Sequence, residues 1–496
     1  MLVSRREPRL DSRHPAFLYQ VQAVEAVRTL EYAALFHEQG LGKTKIGLDL
    51  ALTWLKDGAV DSVVIVTKRS LLKNWADEIK AHTFFEARLL VQDRQVNFFA
   101  FNSPARLYLT HYEVLKSERR RLLLFQRTRR IGIILDEAHK IKNPDAEITK
   151  AVLSLASGFV RRVIMTGTPV ANRPYDIWAP IFFLDGGKSL GASFSDFSQG
   201  IDLNSEVAED EGARATLEKG LSTIFARIRA FSVRSTKGTA GIQLPEKHVE
   251  NISVSLEPAQ RKLYDQFQLE LSAEVVREGR IVEDNAEDIL KRLVRLVQVA
   301  SNPILVDESY SAEPGKLAVA QRLICKAISQ GSKIIVWTNF IENAEWLGRE
   351  FREFGSAIVH GNRSIVERND AIEAFKKEAE CRVLVATPGA AKEGLTLTVA
   401  NHAVFFDRSF SLDDYLQAQD RIHRISQSRT CYIWNLVALE TVDIWVDKLL
   451  AAKHLAAQLV QGDIDLSTYQ RRANYDFFSI VREILGLGRS DDSASS

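Results

Sequence analysis

A chain of 496 residues is too long for one hydrophobic core; with 46% hydrophobic and 26% charged residues it fits a soluble globular protein of roughly two to four domains. Its net charge of +1, from 65 basic and 64 acidic residues, argues against a coat protein held on nucleic acid by charge alone, although a duplex-binding surface needs only local basic charge. Cys325, Cys381 and Cys431 are too scattered for a disulfide framework or a zinc site and point to a reducing compartment, and the sequence shows neither a signal peptide nor an apolar run of the roughly 20 residues a membrane helix needs.

In chain order, the first apolar run, Ala33 to Phe36, leads into Gly40-Leu41-Gly42-Lys43-Thr44 and the amphipathic stretch Lys45 to Lys56. A glycine loop between a strand and a helix is the setting in which backbone N–H groups cradle phosphates. There Gly40, Leu41 and Gly42 would line the phosphates, Lys43 would reach the β and γ phosphates of ATP, and Thr44 would hold magnesium. The strict pattern asks for glycine where His37 stands, and the bland alternative is a glycine turn with a surface lysine.

Val63 to Val66, followed by the amphipathic Leu71 to Lys80, repeats the strand–helix alternation. Lys116 to Arg130 carries seven basic residues and reads as a solvated helix and loop, with a DNA-facing stripe as the alternative. The run Ile131 to Leu135 ends at Asp136-Glu137-Ala138-His139. Carboxylates at the C-terminal end of a parallel strand face the ligand crevice. Asp136 suits magnesium, and Glu137 suits orienting or deprotonating an attacking water. Val163 to Thr166 is the fourth run of the first half.

From about 180 to 310 the pattern turns helical, with Gly238 to Pro245 reading as a break between lobes. Leu293, Leu296 and Val297 within it read as core. The alternation resumes at Ile334 to Trp337, Val383 to Ala386 and Val404 to Phe406. Near its end, Arg421 and Arg424 stand three apart on an expected helix, hence on one face. Arginines so placed can stabilise transition-state charge on a γ-phosphate, worth ~10³–10⁵ in rate. His402 and His423 lack metal-ligand spacing, and Trp54, Trp178 and Trp337 read as core packing.

The expected fold class is α/β, with two doubly wound parallel-sheet lobes and helical insertions between them. Residues 1–240 would form the first lobe, with a helical protrusion at about 180–235. Residues 241–487 would form the second, preceded by a helical segment at about 250–310. Residues 488–496 are expected to be a disordered tail.

Taken together, these motifs resemble the SWI/SNF-like family of superfamily-two helicase-related ATPases, from about Phe17 to about Asp443. Phe17-Leu18-Tyr19-Gln20 resembles the family's glutamine motif, which implies that Gln20 reads adenine. Asp136 to Asn143, reading DEAHKIKN, is among the most family-specific strings. The resemblance implies two RecA-like lobes, ATP and magnesium as cofactors, double-stranded DNA as partner, and no strand separation. It implies DNA-backbone or coupling roles for Asn74, Trp75, His111, Thr166, Gly167, Thr168, Thr338, Gly361, Thr387, Gly394 and Gln417. The family usually has an acidic residue and a methionine where His37 and Gln39 stand, and a double glycine where Gly389 to Gly394 run with altered spacing. Without room for accessory modules, the chain reads as a bare motor with partner protein subunits and no membrane, in the cytoplasm of a prokaryotic or phage-infected cell, or in the nucleus if eukaryotic. The alternatives are a strand-separating DNA or RNA helicase, which would need a wedge, and a DNA-binding scaffold whose ATPase is only a switch.

Overall fold

The computed structural model describes residues 9–103, 105–170, 172–199, 201, 207, 210–278, 286–390 and 396–475. The expected tail and Gly394 lie outside them. The chain divides into two compact units: residues 1–202, 219–243 and 457–465 form the first, and 203–218, 244–456 and 466–496 the second.

The first unit holds a seven-stranded sheet built from β1 (Tyr32–Leu35), β2 (Ser62–Thr67), β3 (Arg88–Leu89), β4 (Leu107–His111), β5 (Ile131–Asp136), β6 (Arg161–Met165) and β7 (Ser232–Val233). Its order is β3-β4-β2-β5-β6-β1-β7, and every neighbouring pair is parallel. The central strands β2 and β5 are buried at every residue. Alternate residues point to opposite faces, so both faces are covered, and this is why these strands read as unbroken apolar runs. One face carries the cluster of Leu35, Ile65, Ile134, Val163 and Met165, packed with Trp54 and Trp75 from helices Lys43–Lys56 and Leu72–His82.

The second unit holds a six-stranded parallel sheet of order β10-β11-β9-β12-β13-β8. Its strands are β8 (Lys247–Val254), β9 (Lys333–Trp337), β10 (Ser356–Val359), β11 (Val383–Ala386), β12 (Ala400–Phe405) and β13 (Cys431–Ala438). Two clusters fill its faces, one around Trp337, Phe375 and Phe405, the other around Ile334, Val336, Phe351 and Trp434. All seven expected apolar runs are strands, and Trp54, Trp178 and Trp337 are buried. Leu293, Leu296 and Val297 are buried as well. The stretch at 180–310 is mainly helical, but it also contributes β7 and β8. No helix among the described residues is long and apolar enough to cross a membrane.

Candidate functional site

Three adjacent strands of the first sheet, β5, β6 and β1, end at one edge. Leu35 and Asp136 are both in register with Met165, so the residues following each strand meet there. The glycine loop follows β1, the Asp136–Glu137 pair closes β5, and Thr166 follows β6. This is the C-terminal edge at which parallel sheets bind ligands.

The loop conformation requires its glycines. Gly40 and Gly42 have φ of 86° and 67°, a region L-residues with a Cβ avoid. A Cβ on Gly42 would also stand 2.6 Å from Gln20 Nε2. Gln20 is buried; its Nε2 donates to Leu41 O at 3.3 Å and its Oε1 accepts from Phe17 N at 2.9 Å. Tyr19 donates to the same Leu41 carbonyl. The loop opens helix Lys43–Lys56, with Thr44 in its first turn. Lys43 Nζ donates back to the loop, to His37 O at 2.9 Å, Glu38 O at 3.4 Å and Gln39 Oε1 at 3.4 Å. His37 is fully buried, and burial, with Lys43 and Arg234 near, pushes its pKa down to about 4. Gln39 packs where a Cβ on Gly167 would stand.

Asp136 is 7% exposed and its groups are tied from three sides. Thr67 Oγ1 and Trp75 Nε1 donate to Oδ2 at 3.0 and 2.7 Å, and Tyr112 OH donates to the backbone carbonyl at 2.7 Å. Glu137, next in sequence, has φ of 52°. A non-glycine residue there carries strain of order 1–3 kcal/mol, a feature concentrated at functional sites. Burial and the adjacent Glu137 charge raise the Asp136 pKa, against Trp75, Lys43 and Thr67. Burial also opposes ionisation of Glu137, but His139, Lys68 and Lys43 outweigh it and hold that carboxyl low. The donor set fits magnesium: a helix-start hydroxyl (Thr44) and a carboxylate with one oxygen committed to the protein are hard oxygen ligands.

The residues given DNA-backbone or coupling roles differ in burial. Trp75, at 1% exposure, is core and donates to Asp136, whereas Asn74, the preceding residue on the same helix, is exposed. His111 is buried, with Nδ1 2.6 Å from Glu113 Oε2. Thr166 and Thr168 are buried, and Thr168 N donates to Thr166 Oγ1 at 3.2 Å. In the basic stretch, Arg119 bonds Ser154, Arg121 bonds Arg94 O and Arg130 bonds Asp61.

In the second unit, Thr338 and Thr387 follow β9 and β11, and Asp407 lies just beyond β12. Asp407 is a buried hub: Ser301, Thr338, Asn343 and Asn339 all donate to its carboxylate. Gln417 is buried and donates to Asp413 Oδ1 at 2.8 Å, and at Gly361 a Cβ would meet nothing within 4 Å. Arg421 and Arg424 are a correction. The helix Leu412–Gln419 ends before them, because Arg421 O accepts from Leu397 N at 3.0 Å and leaves the helical path. Both arginines sit in the turns that follow. Arg421 is buried, and Arg424 donates to Asp420 O and Thr396 Oγ1. His423 bonds Pro245 O.

Sequence reasoning passed over Lys68 and Asp407, and it read Thr67 and Tyr112 only as parts of segments near the DNA backbone, not as partners of Asp136. Thr67 and Lys68 follow an apolar run that register sets beside β5, a signal available only once strand order is known. Asp407 was legible as a carboxylate closing a buried strand.

The family described as SNF2-related domain matches residues 19–305, and the helicase conserved C-terminal domain matches residues 315–426. The chain is 28% identical over 464 residues to a Mycoplasma pneumoniae protein described as an uncharacterized ATP-dependent helicase, covering 90% of this chain and 42% of that protein. It is 26% identical over 503 positions to the ISWI chromatin-remodeling complex ATPase ISW1 of Saccharomyces cerevisiae, covering 95% and 43%. It therefore spans less than half the length of these relatives. A solved Sulfolobus solfataricus SWI2/SNF2 ATPase core in complex with dsDNA is 24% identical, with TM-score 0.42, covering 95% of this chain and 99% of that one.

Proposed function

The chain belongs to the SNF2-related family of ATP-dependent helicase-like ATPases, and from that premise we propose that it translocates along double-stranded DNA without separating the strands. The observation that carries the hydrolytic half is the Asp136–Glu137 pair: one Asp136 oxygen is fixed by Thr67 and Trp75, and Lys43 of the phosphate loop lies within its field. Gly40, Leu41, Gly42 and Lys43 hold the phosphates, Thr44 and Asp136 hold magnesium, and Glu137 orients the attacking water. Magnesium would supply charge neutralisation at the phosphates. Arg421 and Arg424 stabilise transition-state charge. Asn74, Thr166, Thr338, Gly361 and Thr387 serve grip and coupling. Gln20 selects adenine by fixing the loop through Leu41. The output is moving, remodelling or stripping DNA-bound complexes, as the motor of a larger system with partner subunits.

The test is ATP hydrolysis by wild type and Glu137→Gln, with no nucleic acid, duplex DNA, single-stranded DNA and RNA in turn, followed by triplex displacement. Stimulation by duplex, abolished by Glu137→Gln, supports the proposal. Stimulation by single strands or RNA alone replaces it with a strand-separating helicase. No turnover under any condition replaces it with a scaffold.

A further inference from the structure

Lys68 stands immediately after β2, outside every motif named above. Val66 pairs with Leu135 across the sheet, so continuing that register by two residues sets Lys68 beside Glu137. Its ammonium does not stop at the carboxylate. Lys68 Nζ lies 2.9 Å from His139 Nε2, and His139 Nδ1 lies 3.3 Å from Glu137 Oε2. The imidazole is thus interposed between a cation and the carboxylate proposed to handle water. Lys68 is half-buried, and the side chains of Glu137 and His139 are 14% and 10% exposed, so bulk water screens the trio weakly.

The chemistry of the donors settles how such a trio is wired. An ammonium has three N–H donors and no acceptor. Facing it at 2.9 Å, His139 Nε2 must accept, because two donors cannot share that line. A neutral imidazole that accepts at Nε2 carries its proton on Nδ1. Nδ1–H is then the atom turned to Glu137 Oε2, and it presents a positive edge to an anion. At 3.3 Å this is an ion-pair distance and not a formed hydrogen bond between the buried Nδ1 and Oε2, the loose state in which catalytic contacts often stand before substrate tightens them.

We propose that Lys68 is a positioning residue for ATP hydrolysis: it fixes the His139 tautomer that turns Nδ1–H to Glu137, and so keeps one carboxylate oxygen engaged and the other turned to water. This deepens the reading of Glu137 given above and rests on it. Lysine matters here as a pure donor rather than as a partner of phosphate or DNA. Arginine, also a pure donor, should substitute, whereas a glutamine can present its carbonyl and fix the opposite tautomer.

The experiment uses the full chain labelled with ¹⁵N-histidine, the His139 signals being identified by their loss in His139→Asn. In wild type Nδ1 should be the protonated nitrogen. In Lys68→Met the ring should change or average its tautomer. With duplex DNA, kcat in Lys68→Met should fall roughly 10- to 100-fold, as for loss of an outer-shell partner, while KM for ATP stays within about twofold. Lys68→Arg should restore both the tautomer and kcat. A wild-type ring protonated at Nε2, or an unchanged tautomer and kcat in Lys68→Met, overturns the proposal. A fall in kcat that Lys68→Arg leaves uncorrected overturns it as well. The tautomer is read without turnover, so a chain that hydrolyses no ATP would sink the proposed function while the spectra still showed whether Lys68 sets the His139 proton.

Discussion

Trp75 Nε1 donates a 2.7 Å hydrogen bond to Asp136 Oδ2, the same oxygen that Thr67 Oγ1 reaches at 3.0 Å. Two donors on one oxygen fix the carboxylate plane and leave Oδ1 as the oxygen to meet a metal. The ring itself is core, packed with the helix that opens at Lys43, so the same side chain joins folding to site geometry.

Trp75→Phe separates those two roles. It keeps most of the buried ring and removes only the donor, leaving the carboxylate one hydrogen bond short. The affinity for manganese in the presence of ADP, read by the EPR signal of free ion, should fall roughly 10- to 100-fold. Thermal stability should change little, whereas Trp75→Ala should lose about 3–5 kcal/mol. Unchanged manganese affinity in Trp75→Phe would show that the indole N–H serves folding alone.

Lys316 is fully buried and its Nζ lies 2.6 Å from Asp443 Oδ2. The same Asp443 oxygen accepts from Ala438 N at the end of β13. Breaking such a pair leaves a charge without compensation in the interior. Lys316→Met should therefore cost about 3–5 kcal/mol in denaturant unfolding. Lys316→Met with Asp443→Asn should cost clearly less than the sum of the single losses. Additive losses would mean that the two charges are not coupled.

His402 gives the second unit a pH dependence. Its ring stacks on Tyr432 with centroids 5.0 Å apart and packs tilted against Trp434 at 5.1 Å, and Nδ1 faces Asn401 Oδ1. Burial first, then Arg429 and Lys326, lower its pKa from 6.5 to about 4. Between those values the unfolded chain holds the proton and the folded one does not, so folding weakens as pH falls. Stability is fully present above pH 6.5 and is lost as pH falls through about 4. The loss is at most on the order of 3 kcal/mol for this group. His402→Phe, which keeps a ring in the stack, should flatten the fall in unfolding free energy from pH 7 to pH 5 relative to wild type. Parallel curves for the two proteins would assign the acid sensitivity to other groups.

The expected runs became strands where burial on both faces forces unbroken apolar sequence, as at Val63 to Val66 and Ile131 to Leu135. Edge strands escaped because they are not so constrained. β8 is exposed at most of its residues, and Lys247, His248, Glu250 and Asn251 hide it from any apolar pattern. β3 and β7 are two residues each, too short for periodicity. β13 is buried at all but one residue and was readable, though no motif marked it. In the site, Gly40, Gly42, Lys43, Asp136 and Glu137 were legible because their chemistry depends on local spacing. The Trp75–Asp136 bond spans 61 positions and the Thr67–Asp136 bond 69, and only strand order brings these residues together. The arginines were read onto a helix because spacing cannot show that a distant N–H, that of Leu397, captures the Arg421 carbonyl.

Gln39, where the family usually has methionine, links two of the legible motifs. A Cβ on Gly167 would stand 2.8 Å from Gln39 Cγ, Cδ and Nε2, closer than real contacts allow, so in Gly167→Ala the Gln39 side chain must move. Its Oε1 also accepts from Lys43 Nζ at 3.4 Å, so the displacement reaches the phosphate-binding lysine. Gly167→Ala should therefore shift ADP affinity by roughly tenfold, about 1.4 kcal/mol. Adding Gln39→Ala removes the obstructing atoms and should return affinity to that of Gln39→Ala alone. Calorimetry on the four proteins gives the coupling, expected at about 0.5–3 kcal/mol for contacting residues. If the two substitutions instead add independently, Gly167 acts through the backbone of the Thr166–Thr168 segment, and Gln39 is no link between that segment and Lys43.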